Sequence, residues 1–233
     1  GLYIQHTDQL ELVTTALTGA SALFIDTEFE SRRSGTELCL LQVSDGQSAF
    51  LIDALSIDDL TPLASIFSAS DVVWVVHAGR QDVELLMRAF ELQTRPTIFD
   101  TQIAWSLVSA EYQVSLAYLE AIMLGLRKSK GRQTSDWKRR PLTDAQLEYA
   151  LGDVEGLPEI YDILNARLAE YGRPNSAIEA TSESFAGRVQ DKDMITLSSF
   201  RNLWQLDARE QAALRVLLSW HNTHGGGRGN PHW

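Results

Sequence analysis

Residues 23–30 read LFIDTEFE, an apolar run followed by two acidic residues, Asp26 and Glu28, that are separated by one residue. The run Ala22–Ile25 predicts a central strand. Side chains alternate between the two faces of a strand, so Asp26 and Glu28 project from the same face, about 7 Å apart along the chain. The stretch therefore predicts a buried strand with a pair of carboxylates at its end.

Two β-rich runs follow, at residues 37–43 and 47–53, and the turn between them contains Asp45-Gly46, a strong hairpin signal. Together with the first strand they predict a three-strand meander. After a predicted helix at 60–67, the run VVWVV at 72–76 is apolar throughout, as expected of a strand buried on both faces. The alternation predicts an α/β fold, with a mixed sheet of meander plus parallel strands, flanked by helices.

A second acidic segment is VVHAGRQDVELL at 75–86, in which Val83 and Leu86 belong to the apolar stripe of a predicted helix. Asp82 lies on the margin of that stripe, which favours a functional role, although a helix cap is the structural alternative. Downstream, Asp100 is predicted to cap the next helix.

The third segment is LEYALGDVEGL at 147–157. Thr143 and Gln146 form a capping box that opens this helix, and Pro158 must end or kink it. Tyr149 and Asp153 are four residues apart, so they share one helix face. Acids gathered from three segments cannot all be ionised without a counter-charge, and hard divalent cations with oxygen ligands can supply it.

In their order along the chain and in the spacing of their acidic residues, the three segments resemble the three motifs of the DEDD superfamily of 3′→5′ exonucleases. Tyr149, four residues before the last aspartate, resembles the DEDDy branch. The DEDDh branch has histidine five residues before that aspartate, where this chain has Glu148. The stretch RKSKGRQTSDWKRRPLTDAQLEYALGDV at 127–154 is similar to the bacterial ribonuclease D family.

The resemblance implies a ribonuclease H-like fold and hydrolysis supported by two divalent ions, Mg²⁺ or Mn²⁺. It implies that Asp26, Glu28 and Asp153 ligate the first ion. Asp26 bridges to the second ion, which Asp82 holds directly or through water. Tyr149 orients the attacking water, since a phenol with a pKa near ~10 is a poor base at neutral pH.

The net charge of −11 argues against a nucleic-acid partner until its distribution is considered. Residues 127–140 carry seven Lys and Arg against Asp136 alone, a local net charge of +6, which leaves −17 elsewhere. A basic segment before the third motif suits a phosphate backbone, although a solvated charge run is the alternative. Candidate phosphate contacts are Lys128, Lys138, Arg139 and Arg140. Phe29 and Trp137 are candidates for stacking on RNA bases, with packing inside the protein as the alternative for both. His77 is a candidate for hydrogen bonding that supports the RNA site.

An exonuclease domain is predicted at 1–172, a polar linker at 173–195, with a short helix inside it as the alternative, and a partial helical segment resembling an HRDC domain at 196–233. No apolar run approaches the ~20 residues of a membrane helix, and no leader is evident. Cys39 is the sole cysteine, which fits a reducing compartment. We expect a cytoplasmic, monomeric exoribonuclease that acts on single-stranded RNA 3′ ends, with trimming of tRNA and other structured RNAs as the family's suggestion. A DNA 3′→5′ exonuclease and an inactive RNA-binding module are the alternatives.

Overall fold

A computed structural model describes residues 1–32, 35–111, 113–126, 135–186 and 208–224. The chain divides into two compact units, Gly1–Glu183 and Ser184–Trp233. No helix in the described ranges is long and apolar enough to cross a membrane.

The first unit contains a six-stranded sheet with the order β1-β4-β3-β2-β5-β6. The pairs β2/β3 and β3/β4 are antiparallel, while β1/β4, β2/β5 and β5/β6 are parallel. The predicted meander, the mixed sheet and the central position of β2 are confirmed. The strands are β1 Leu2–Ile4, β2 Ala22–Arg32, β3 Gly35–Ser44, β4 Ala49–Ile52, β5 Val73–Val76 and β6 Thr97–Asp100.

Helices flank the sheet and connect its strands. Thr61–Leu63, which contains Pro62, forms a 3₁₀ turn before the second helix, because proline tolerates only the first turn of a helix. A π-helical turn occupies Glu120–Leu124. The α-helices are α1 Leu10–Leu17, α2 Ala64–Phe67, α3 Arg80–Ala89, α4 Thr101–Val108, α5 Leu116–Leu119, α6 Asp144–Glu155, α7 Leu157–Glu170, α8 Ser176–Ala186 and α9 Ala208–His224.

The helix that carries the third motif packs directly on the meander. Helix α6 contacts β2, β3 and β4, and its Ala150 lies in a buried cluster with Leu40 and Leu51. The predicted capping box is present: the Thr143 side chain accepts from the Gln146 backbone N–H, and the Gln146 side chain accepts from the Thr143 N–H. Burying such aliphatic side chains stabilises the contact by about 1.5–3 kcal/mol each, which fixes α6 against the acid-bearing strand.

Helix α8 requires a correction to the predicted linker at 173–195. The segment looked like a linker because its residues are small and polar, but Ala177 and Thr181 are fully buried. The Thr181 hydroxyl accepts the backbone N–H of Asp100 at 3.2 Å. Small side chains allow this helix to lie close to the end of β6, so the first unit extends to Glu183 rather than 172. Residues 187–195 lie outside the described residues, and the HRDC-like character of 196–233 stays a prediction.

Candidate active site

Three carboxylates meet where β2 lies beneath α6. One oxygen from each of Asp26, Glu28 and Asp153 lies within 4.8 Å of the others. The alternation of β2 brings Asp26 and Glu28 to one face, as predicted, and the packing of α6 brings Asp153 to them. A β-bulge follows at the Glu28/Phe29 step. Oxygen ligands at this separation fit the donor set that Mg²⁺, Mn²⁺ or Ca²⁺ takes in proteins.

Burial and mutual repulsion make ionisation of these acids costly. Burial, followed by the charges of Asp82 and Asp153, raises the pKa of Asp26 well above its ordinary value. Burial, followed by Asp153 and Asp82, raises the pKa of Glu28 to about 8. A bound cation reverses this balance, because it favours the charged form of every nearby carboxylate.

Asp82 approaches the cluster from α3 and is 9% exposed. Its carboxylate accepts a hydrogen bond from the Thr27 hydroxyl. Burial raises the pKa of Asp82, and this hydrogen bond partly offsets the effect. Gly79, not Asp82, is the N-cap of α3, so the helix-cap alternative is wrong. Among the neighbouring acids, Asp82 has the largest effect on the pKa of Asp26.

Tyr149 lies one helical turn before Asp153 on α6 and forms a hydrogen bond with its carboxylate. Burial and the charges of Asp153 and Glu28 raise the pKa of the Tyr149 hydroxyl. The phenol therefore stays protonated at neutral pH, in agreement with a role in orientation rather than in proton abstraction. Its ring is half-buried and lies 6.1 Å from the Trp137 ring, centroid to centroid.

The acids open onto a cavity of about 400 Å³. Two of its wall residues, Ala78 (φ 52°) and Gln113 (φ 60°), adopt a left-handed backbone conformation. Non-glycine residues in this conformation are strained and concentrate at functional sites. The lining residues are Asp26, His77, Ala78, Gln102, Gln113, Val114, Ser115, Leu116, Tyr149 and Asp153.

His77 forms part of the cavity wall. Its Nε2 lies 3.0 Å from the Val114 carbonyl, which can only accept, so Nε2 carries the proton. Its Nδ1 lies 2.9 Å from the Thr101 hydroxyl. Burial lowers the pKa of His77, so the ring is neutral at neutral pH. The Thr101 hydroxyl proton is shared between Nδ1 and the Val76 carbonyl, which lies 3.1 Å from the hydroxyl oxygen. Gln102 Nε2 donates to the same Val114 carbonyl at 2.8 Å, and together these bonds fix the cavity wall.

Asp100 is the predicted cap of α4 and accepts from the backbone N–H groups of Gln102 and Ile103. The structure adds a second function for this carboxylate. It also accepts from the N–H groups of Ala78 and Gly79, at 3.0 Å each. One buried side chain therefore fixes both the start of α4 and the turn that leads into α3 and Asp82.

The basic segment is not one phosphate-binding surface. All five N–H groups of Arg140 are used inside the protein: two bind Asp53 at 2.6 Å, two bind the carbonyls of Trp137 and Arg139, and one binds the Cys39 carbonyl. The predicted Arg140 phosphate contact is therefore wrong, because no donor remains to bind a phosphate.

The other predicted RNA contacts have mixed outcomes. Trp137 is 2% exposed, so its predicted stacking on a base is wrong and its packing alternative is confirmed. Lys138 forms an ion pair with Glu37. Arg139 is exposed and Phe29 is half-buried, so both stay predictions. Lys128 lies outside the described residues.

The mixed sheet with a carboxylate cluster beside its central strand defines a nuclease with a ribonuclease H-like fold. The profile of a 3′-5′ exonuclease family matches residues 2–169. The chain belongs to this 3′-5′ exonuclease family, a metal-dependent class.

Individual relatives agree with this placement. A ribonuclease D of Shewanella is 32% identical over 220 residues, which cover 94% of this chain and 56% of that protein. The crystal structure of Escherichia coli RNase D, described as an exoribonuclease involved in structured RNA processing, has a TM-score of 0.76 and 29% identity; the match covers 94% of this chain and 59% of that one. Brucella melitensis NrnC with bound Mg²⁺ has a TM-score of 0.64 and 25% identity, and the match covers 83% of this chain and 97% of that one. The chain spans about half the length of the ribonucleases D it matches, from 43% to 59%.

Several residues around the acids had no predicted role. Thr27 lies between two predicted ligands, and Gln42 lies opposite Asp26 on β3. Asp53 forms an ion pair with Arg140 and accepts a hydrogen bond from the Tyr3 hydroxyl. Spacing alone identifies none of them, because each acts through contacts between strands or segments far apart in sequence.

Proposed function

We propose that this chain is a metal-dependent 3′-5′ exoribonuclease that releases 5′-mononucleotides from RNA with a single-stranded 3′ end. The observation that carries the proposal is the convergence of Asp26, Glu28 and Asp153 within 4.8 Å, beside a cavity that Asp26 and Asp153 line. Family membership supports the 3′-5′ polarity, and the names of the ribonuclease D relatives support RNA as the substrate.

The four acids would hold two divalent ions, Mg²⁺ or Mn²⁺. Asp26, Glu28 and Asp153 would ligate one ion, and Asp26 and Asp82 the other. Such ions activate water and stabilise the charge on both oxygens of an in-line phosphoryl displacement. The raised pKa values of Asp26 and Glu28 fit this assignment, because repulsion among the acids is what a cation relieves.

Tyr149 would position the attacking water through its hydroxyl. The hydrogen bond to Asp153 fixes the direction of that hydroxyl at the cavity wall. Because its pKa is raised, the phenol keeps its proton and acts by orientation.

The cavity would receive the terminal nucleotide. His77, Gln102 and Val114 form a hydrogen-bonded part of the wall of the same cavity, so His77 supports the wall rather than donating freely to RNA. Exposed Arg139 would contact a phosphate of the strand, and half-buried Phe29 a base. We further propose that it matures tRNA and other structured RNA 3′ ends, in the cytoplasm and as a monomer. The description of Escherichia coli RNase D as an exoribonuclease involved in structured RNA processing supports the structured-RNA part of this proposal.

The test uses a 5′-labelled RNA oligonucleotide, a DNA of the same sequence, and an Asp26→Asn variant as control. We expect stepwise shortening of the RNA from its 3′ end with Mg²⁺, release of 5′-mononucleotides, and no reaction with EDTA or with the variant. Faster shortening of the DNA would instead indicate a DNA exonuclease. Binding of RNA without shortening at any Mg²⁺ or Mn²⁺ concentration would indicate an RNA-binding module.

A further inference from the structure

Gln42 is a fully buried amide on β3. Neither its Oε1 nor its Nε2 has a hydrogen-bond partner within the described part of the chain. A buried amide without partners is unfavourable, since it loses its hydrogen bonds to water and gains none in return. Such a group in a native fold calls for a physical explanation, such as a bound water or ion.

The register of the sheet places Gln42 directly opposite Asp26. Opposed residues of an antiparallel pair project from the same face, with Cβ atoms about 4.5–5.5 Å apart. Leu40, two residues earlier and on that same face, packs with Ala150 of α6. Gln42 therefore lies beneath α6, on the side of the sheet where Asp26 meets Asp153.

Carboxylates that ligate a metal are generally fixed by outer hydrogen bonds, and removal of such a partner weakens metal binding by about 10–100-fold. Asp82 has such a partner in Thr27. For Asp26 a backbone hydrogen bond at Thr27 lowers its pKa, and no side-chain donor to it is found among the described residues. The Gln42 amide has two unused N–H groups and lies beside Asp26, the proposed bridging ligand. It could therefore supply the side-chain hydrogen bond that Asp26 lacks among the described residues.

We propose that Gln42 is a positioning residue for Asp26, whose amide donates to the Asp26 carboxylate, directly or through one buried water, when the acid cluster holds its cations. This inference rests on the proposed function, because it assumes that Asp26 is a metal ligand. It gives a physical reason for a buried glutamine on a part of β3 whose neighbours Leu40, Leu41 and Val43 are all apolar.

The test compares Gln42→Met with Leu41→Met, a control that introduces the same side chain at the adjacent, fully buried position of β3. Mg²⁺ and Mn²⁺ are titrated into the metal-free proteins by calorimetry without RNA, and thermal unfolding is measured with and without metal. We expect Gln42→Met to bind Mg²⁺ at least about 10-fold more weakly than wild type. Its metal-free melting temperature should be no lower than that of wild type, because an unsatisfied amide is removed. Leu41→Met should keep wild-type affinity.

Wild-type Mg²⁺ affinity in Gln42→Met would overturn the inference, as would an equal loss in Leu41→Met. A large drop in the metal-free melting temperature of Gln42→Met alone would also overturn it, since the amide would then stabilise the metal-free fold. If Gln42→Met does not fold, Gln42→Asn keeps the amide but withdraws it by one methylene; weaker Mg²⁺ binding supports the inference and unchanged binding overturns it. Failure of the wild-type chain to shorten RNA would refute the proposed function and leave these binding comparisons interpretable.

Discussion

Replacing Arg140 with alanine removes five hydrogen bonds and leaves the Asp53 carboxylate, whose side chain is 0% exposed, without its cation. Burial raises the pKa of Asp53, but the hydrogen bonds from Arg140 and Tyr3 outweigh this effect and lower it. Removing one partner of a buried pair costs about 3–5 kcal/mol. Because the Arg140 side chain is 21% exposed, we expect a destabilisation near the lower end, about 3 kcal/mol. For a unit of this size, that corresponds to a melting temperature about 6–12 °C lower.

The adjacent arginine supplies a matched control. Arg139→Ala removes an equal charge from an exposed position, so its melting temperature should stay within about 2 °C of wild type, as is usual for surface substitutions.

A salt titration of RNA affinity with the same two variants separates effects on stability from effects on RNA binding. Loss of one phosphate contact on a single strand reduces the log–log slope by about 0.7. We expect that reduction for Arg139→Ala and an unchanged slope for Arg140→Ala, measured below the melting temperature of both.

The expected outcomes for the two arginines are opposite, and this makes the reasoning refutable. A melting temperature of Arg140→Ala within about 2 °C of wild type would show that the buried pair does not stabilise the fold. A slope reduced by about 0.7 in Arg140→Ala, with normal stability, would restore the phosphate contact expected from the sequence.

Three further substitutions and one change of pH test the site. Asp26→Asn and Asp153→Asn should each reduce turnover to less than about a tenth of wild type at saturating Mg²⁺, because each removes the charge of a proposed metal ligand. The control is the melting temperature of the metal-free protein, which should be unchanged or raised. Tyr149→Phe should bind Mg²⁺ and RNA normally but slow single-turnover cleavage by about 10²-fold; a rate within about threefold of wild type would exclude the orienting role. Since the pKa of Glu28 is raised from 4.5 to about 8, the folded state favours the protonated acid, so the metal-free melting temperature should fall as pH rises from about 4.5 to about 8. Mg²⁺ affinity should rise over the same window, because binding releases the proton; a flat profile in both measurements would contradict the buried-acid assignment.

The sequence predicts those parts of the fold that depend on short-range periodicity. The meander, the buried strand β5, the capping box of α6 and the marginal position of Asp82 all follow from spacing within one segment, and all are confirmed. Strand β1 was missed because three residues are too few to show an alternation. The helix at Ser176–Ala186 agrees with the short helix that the sequence left open within the linker. Its burial was missed because small polar residues are typical of linkers, and the tertiary contact of Thr181 identifies it as buried.

The basic segment shows what composition cannot distinguish. Arg139 and Arg140 are neighbours of the same type, but one is exposed and the other has every donor bound inside the protein. The difference arises from Asp53, 87 residues earlier in the chain. A count of charges assigns Arg139 and Arg140 to the same role. It does so because Asp53, the partner that binds Arg140, is not part of the local sequence.

The position of Arg140 also bears on the acids. A cluster of half-buried carboxylates opposes folding in the metal-free state, since like charges at close range repel and each loses part of its hydration. The helix that carries Asp153 must therefore be fixed by contacts that do not depend on metal. The capping box at Thr143 and Gln146 begins that helix, and Ala150 packs it on the meander. Arg140, three residues before the cap, ties the incoming chain to β3 through the Cys39 carbonyl and to Asp53 just after β4. These contacts hold α6 over β2 whether or not cations are bound, so the separation of Asp26 and Asp153 is set before the metal arrives.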